Sequence, residues 1–179
     1  ENPDDLEKAV MLANERLCEN NEQTVFVTVF LGVLDLRSGM LRFVNAGHSA
    51  PLLRRQQDGN VFRPLRMTRN LAFAVMEDWQ YVTDEVQLAE GDALFLYTDG
   101  VTEAENPERK MYAMDRLAAF LNSEPAGKAR SMQELLGSVW ADLASFVGAA
   151  EQSDDITMLA LQYYGKVEKQ DAGEQTKGE

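Results

Sequence analysis

Hydrophobic and polar positions along this chain switch between two periods. Leu6, Ala9, Val10, Ala13 and Leu17 recur at helical spacing. Ahead of them Asn2-Pro3-Asp4-Asp5 offers an N-cap, a proline at the first helical position and two carboxylates for the positive end of the dipole. A helix to about Cys18 is therefore predicted. From Thr24 to Leu36 a β-branched and aromatic run predicts a strand buried on both faces. Asp35-Leu36-Arg37-Ser38-Gly39 carries turn chemistry, and Met40 to Val44 returns as the hairpin partner.

After Asn45-Ala46-Gly47-His48, a short apolar piece at Leu52-Leu53 and a turn at Asp58-Gly59 lead to Val61-Phe62, a second hairpin. Residues 64–80 lack a period and are read as loop. Tyr81 to Leu88 alternates like a strand with one exposed face, Glu90-Gly91-Asp92 turns, and Ala93 to Tyr97 reads as a buried strand, so these two are expected to pair. Arg109 to Leu121 has mixed helical character. Ser131-Met132-Gln133-Glu134 fits a capping box opening a helix with Leu135, Leu136, Val139, Trp140, Leu143 and Phe146 inward. Ile156 to Leu161 is the last predicted strand, and the aperiodic polar segment 165–179 is expected to be disordered. Hairpins with interspersed helices predict an α+β domain of mostly antiparallel sheet.

Composition narrows the partners. The 179 residues suit one domain, and 45% hydrophobic content supports a sizeable core. With 30 Asp+Glu against 17 Lys+Arg the formal charge is −13, which argues against a grip on a phosphate backbone and so against nucleic acid. The longest uncharged run, Gln23 to Leu34, is too short to cross a bilayer, and the first residues have no signal-peptide pattern, so no membrane association is expected. Cys18 is the single cysteine, which excludes an internal disulfide and suits the cytoplasm. The chain starts at Glu1, without Met, inside a predicted helix start, and is expected to be part of something longer.

Candidate chemistry gathers at strand ends. Asp99 follows one predicted buried strand and Asp154-Asp155 precede another. If those strands are antiparallel neighbours, these carboxylates converge as a hard-cation site for Mg²⁺ or Mn²⁺, with Gly100 leaving room beside the backbone. The alternative is an ordinary Asp-Gly turn and a loop aspartate. Glu103 and Glu105 stand close enough in sequence to join a metal shell or to form a charged loop. His48, the lone histidine, suits a proton shuttle, a phosphate-orienting group or a structural role. Arg37, Arg42, Arg54, Arg55, Arg63, Arg66 and Arg69 fall in one stretch, read either as contacts to a phosphoprotein or as solvated positions, with Arg54-Arg55 protecting an edge.

Four segments in order, Phe26 to Asp35, Phe43 to His48, Leu96 to Ala104 and Asp154 to Thr157, resemble the PPM-type metal-dependent serine/threonine phosphatases, in the bacterial branch of SpoIIE- and RsbU-like enzymes. The resemblance covers about Asp4 to Gln162. It implies two antiparallel sheets in a sandwich flanked by helices, in a partial phosphatase domain over residues 1–164. It also implies a two-metal Mg²⁺ or Mn²⁺ site in the complete domain. Asp99 matches the family's Thr-Asp-Gly ligand, Asp154 the first of its acidic pair, and Asp155 and the Gly100 backbone are neighbouring candidates. The implied reaction is direct hydrolysis of phosphoserine or phosphothreonine by water activated at the metals, without a phosphoenzyme. The implied substrate is an anti-sigma-factor antagonist, under an upstream sensor or receiver domain.

Two departures stand out. No Gly-Asp-x-x-Gly motif occurs before the Thr28 strand, and Ser49-Ala50 precede Pro51 where the family often has consecutive prolines. The chain is accordingly expected to be an incomplete catalytic domain, inactive alone and open to homodimerisation through exposed sheet edges. The competing readings are a non-catalytic pseudophosphatase module that binds a phosphoprotein or anti-sigma partner, and a structural dimerisation domain.

Overall fold

Helix α1 spans Asp4–Cys18 and lays Leu6 and Val10 on a three-stranded antiparallel sheet. The computed structural model describes residues 4–19, 21–123 and 131–166. The predicted cap at Asn2 and Pro3, and most of the predicted polar tail (residues 167–179), lie outside them. The first sheet has order β1-β2-β5, with β1 at Val29–Leu34, β2 at Met40–Ala46 and β5 at Asp84–Gln87. The second has order β4-β3-β6-β7, formed by β3 Leu52–Arg55, β4 Val61–Pro64, β6 Ala93–Tyr97 and β7 Met158–Gln162. Every pairing within both sheets is antiparallel.

Period-2 alternation gives each sheet two apolar faces, so each is covered twice. Leu41, Phe43 and Val86 of the first sheet meet Leu53 and Leu94 of the second in the sandwich core. On the far side of the second sheet, Leu52, Phe95 and Tyr97 pack against α3 (Ala113–Leu121) and α4 (Met132–Val147). A one-turn helix α2, Asp99–Thr102, follows β6 directly. The result is an α+β sandwich of two antiparallel sheets flanked by helices, as expected. Among the described residues no helix is long and apolar enough to cross a membrane.

Three expectations are corrected. The strand predicted over Thr24–Leu36 is shorter and is not buried on both faces: Val25, Phe26, Leu31 and Val33 are exposed. The reason is positional, since β1 is an edge strand and α1 covers its outer face near Val29 alone, leaving Leu31 and Val33 beyond the helix. The stretch Tyr81–Leu88 does not pair with Ala93–Tyr97. Instead β5 joins the first sheet, and the Glu90-Gly91-Asp92 turn carries the chain across the sandwich to β6 in the second. Asp92, 2% exposed, fixes that crossing by accepting backbone N–H groups of Ala89 (3.0 Å) and Gln56 (3.1 Å). Trp140 points outward, half exposed, while Leu135, Val139 and Leu143 form the buried stripe of α4.

Candidate active site

β6 is the interior strand that delivers the first candidate ligand. Flanked by β3 and β7, it buries Ala93, Leu94, Phe95 and Tyr97 and ends at Thr98-Asp99. Tyr97 pairs with Met158, the first residue of β7, so the loop holding Asp154 and Asp155 arrives beside the end of β6. Thr98 locks the two together. Its N–H donates to Thr157 O (3.0 Å), its hydroxyl accepts from Thr157 N–H (2.9 Å), and the same hydroxyl donates to Asp155 O (2.9 Å). One side chain thus satisfies backbone groups that a ladder would otherwise leave unpaired.

Gly100 is held against this junction. A Cβ at that position would collide with the Asp155 carbonyl oxygen and come into van der Waals contact with that of Asp154, so glycine is what lets the two loops touch. Asp99, Asp154 and Asp155 are all exposed at the same edge. Asp99 Oδ1 accepts the Gly100 N–H at 3.1 Å, and Asp154 Oδ1 the Asp155 N–H at 2.7 Å.

His48 stands at the same end. β3 begins at Leu52 opposite Phe95, so the loop from Gly47 to Pro51 leaves β2 where β6 finishes. The hydrogen bonds of His48 run to Asn45 and Thr28: its N–H donates to Asn45 Oδ1 (2.8 Å), its carbonyl accepts from Asn45 Nδ2 (2.9 Å), and Nδ1 lies 3.2 Å from Thr28 Oγ1. Gly47, at φ 71°, makes the turn in a backbone conformation that side chains rarely adopt, and a Cβ there would press on Ala72 at 3.1 Å. Glu103 is exposed, whereas Glu105 lines a cavity of about 220 Å³ with Gly100, Trp140, Leu143 and Ile156.

The donor chemistry fits part of a hard-cation site: carboxylates on two touching loops, with a backbone cradle that a Cβ would fill. Among the described residues, however, no group of three or more His, Cys, Asp or Glu side chains is arranged to hold a metal. The two loops are brought together as predicted, but Glu103 and Glu105 complete no such group with them.

Sequence reasoning missed the residues that hold the loops. Besides Thr98, these are the buried asparagines. Asn45, 6% exposed, shapes the His48 turn, and Asn70, 7% exposed, bonds Asn45 O (3.3 Å) and both backbone polar groups of Val82. Asn14, fully buried, donates to Met76 O and Glu77 O and accepts from Ala74 N–H and the Tyr81 hydroxyl.

Two antiparallel sheets flanked by helices are the arrangement of PP2C-type phosphatase domains of known structure. The chain belongs to the Stage II sporulation protein E (SpoIIE) family, whose family model matches residues 1–164, in the SpoIIE- and RsbU-like branch of that class. Protein IcfG of Synechocystis sp. is 32% identical over 154 residues, covering 86% of this chain and 23% of IcfG. Phosphoserine phosphatase RsbU of Bacillus subtilis is 24% identical over 143 residues, covering 80% of this chain and 41% of RsbU. The phosphatase domain of SpoIIE from Bacillus subtilis superposes with TM-score 0.62 at 16% identity, over 91% of this chain and 69% of that one. The chain spans less than half the length of the curated relatives it matches.

Proposed function

We propose that this chain supplies a metal-dependent phosphatase domain that hydrolyses phosphoserine or phosphothreonine on a regulatory protein, an anti-sigma-factor antagonist, in bacterial signalling. The observation that carries this reading is the Thr98–Asp155 junction, which keeps Asp99 and Asp154 on touching loops at one end of the sandwich. RsbX, a relative of the same fold, is known in complex with magnesium, and RsbU is named a phosphoserine phosphatase.

In this reading Asp99 and Asp154 hold Mg²⁺ or Mn²⁺, with Asp155 and the Gly100 backbone as neighbouring donors. The bound cations supply charge neutralisation at the phosphoryl oxygens and lower the pKa of water. The chain's own contribution is rigidity: Thr98 and Gly100 fix the spacing of the carboxylates, so little reorganisation accompanies cation binding. Without a cation, Asp99, Asp154 and Asp155 at one edge repel each other. His48, anchored by Asn45, is the candidate proton carrier at that end.

The test is phosphate release from a phosphoserine protein by the native protein that contains this sequence, with and without Mn²⁺. Metal-dependent release that Asp99→Asn abolishes is expected. Binding of the phosphoprotein with no release at any metal concentration would replace this reading by a pseudophosphatase module. That second reading is favoured by one observation, the lack of a three-ligand acidic group among the described residues.

A further inference from the structure

Seven arginines and a single carboxylate, Asp58, stand between Arg37 and Arg69, in a chain whose formal charge is −13. The fold sorts these arginines by face. Arg42 is paired with Glu85 at 2.8 Å, and the Arg54 guanidinium lies over the Phe62 ring, 5.3 Å from its centre. Arg55, Arg63 and Arg66 instead line one groove of about 430 Å³. Among the described residues none of these three is in an ion pair. The groove's accessible apolar lining is Val61 and Pro64, over the buried Leu53, Leu65 and Val86 of the sandwich core, and of its two carboxylates, Asp58 and Glu85, the second is already engaged by Arg42.

Sheet topology produces this groove and gives it a direction. β4 is an edge strand of the second sheet and β5 an edge strand of the first, so the groove lies on the open side of the sandwich between them. Pro64 pairs with Leu52 and the Leu65 N–H donates to Pro51 O at 2.8 Å, which brings the Arg63–Arg66 end toward the end of the sandwich that carries Asp99. Strand addition to β4 is blocked at Phe62, whose N–H donates to Asn122 Oδ1 (2.7 Å) and whose carbonyl accepts from Asn122 Nδ2 (3.0 Å). β4 therefore offers an occupant no backbone pairing at Phe62.

We infer that this groove docks an acidic segment of a protein, its carboxylates on Arg55, Arg63 and Arg66 and an apolar side chain against Val61 and Pro64. Charge complementarity carries the choice: three unpaired guanidiniums beside apolar surface match a short run of mixed Glu or Asp and apolar residues. A long polyanion matches less well, because beyond the groove it would meet the acidic remainder of the chain. Identifying the segment as part of the phosphoprotein substrate rests on the function proposed above; the binding of an acidic segment does not.

The experiment is fluorescence anisotropy of a short labelled peptide of alternating Glu and Leu, titrated with this 179-residue chain. Saturable binding that weakens with salt is expected. The double variant Arg63→Glu/Arg66→Glu should weaken it about tenfold or more, and Arg63→Gln/Arg66→Gln should weaken it in the same direction while the melting temperature stays unchanged. Arg16→Glu, on α1 in the outer helical layer, should have no effect. No saturable binding, or equal affinity in the Gln double variant, overturns the inference. So does tighter, variant-sensitive binding of oligothymidine or of phosphatidylserine vesicles. In the native protein, the same substitutions should lower kcat/KM for a phosphoprotein about tenfold relative to that for p-nitrophenyl phosphate. If no substrate is hydrolysed at all, the phosphatase reading falls while the peptide result stands.

Discussion

The Thr98 hydroxyl and the bare Cα of Gly100 together hold the junction on which the proposed chemistry depends. Gly100→Ala drives a methyl group into the Asp155 carbonyl oxygen, a backbone atom, so the loops must separate. The expected outcome is a destabilisation of about 1–3 kcal/mol in thermal or urea unfolding. Metal-dependent activity in the native protein should fall further than that stability loss accounts for. An Ala variant with wild-type activity would show that the contact of the two loops is irrelevant to function. At this scale the sequence was partly legible. Asp99 and Asp154 could be placed because each sits at a boundary between an apolar run and turn chemistry. Thr98, Asn14, Asn45 and Asn70 could not, because an asparagine in a solvated turn and one clamping buried backbone read alike, and their partners lie up to 67 residues away.

Helices α3 and α4 are joined by a polar latch inside an apolar contact. The hydroxyl of Tyr112, a residue 1% exposed, donates to Asp142 Oδ2 at 2.7 Å, and Arg116 donates through Nε and Nη2 to both carboxylate oxygens at 3.2 and 3.1 Å. The Arg116 guanidinium also lies over the rings of Tyr112 and Phe146. Burial raises the Asp142 pKa, but hydrogen bonds from Arg116 and Tyr112 outweigh it and leave the carboxyl below its ordinary value. Burial, and the hydrogen bond to Asp142, push the Tyr112 hydroxyl up. Replacing Asp142 with Ala leaves a buried hydroxyl without its acceptor, at a cost of about 1–3 kcal/mol. Because the folded pKa is depressed, the carboxylate's contribution is complete above the unfolded value of about 3.9 and is lost as pH falls through the lower folded value. Thermal melts of wild type and Asp142→Asn should therefore differ at neutral pH and converge on acidification; a difference that persists at the acid limit would contradict this assignment.

Elements were legible where one local signal decided them. α1 packs Leu6, Val10 and Ala13 of its predicted stripe inward but leaves Ala9 and Leu17 exposed, and α4 opens as a capping box predicts, with the Ser131 hydroxyl accepting the Glu134 N–H at 3.1 Å. β1 was misread because an apolar run does not say whether a neighbour covers it. The β5–β6 turn was misread because Gly-Asp turn chemistry is the same whether the chain stays in its sheet or crosses to the next. Trp140 was misplaced because helical spacing gives a broad face, and the loop after α4 leaves that side open over the cavity beside Gly100.

At the scale of the molecule, an α+β class followed from alternating strand and helix signals, but the pairing of two sheets between helical layers followed from family resemblance and not from periodicity. The layering explains the site: adjacent antiparallel strands β6 and β7 must present the end of one beside the start of the other, so the loops that carry Asp99 and Asp154 lie side by side. It also explains why acidity at that end is compatible with folding, since Asp99, Asp154 and Asp155 are exposed to solvent. The arginine-lined groove lies on the open side of the same sandwich, between edge strands β4 and β5.

The central claim is that Asp99 and Asp154 serve one metal-dependent phosphatase site. Its most direct test is hydrolysis of p-nitrophenyl phosphate against Mn²⁺ concentration, using the native protein that contains this sequence and its Asp99→Asn and Asp154→Asn variants. The account predicts activity that requires the metal and falls about a hundredfold or more in each variant, because each removes a cation ligand. Wild-type rates in Asp99→Asn, or hydrolysis indifferent to the metal, would contradict it.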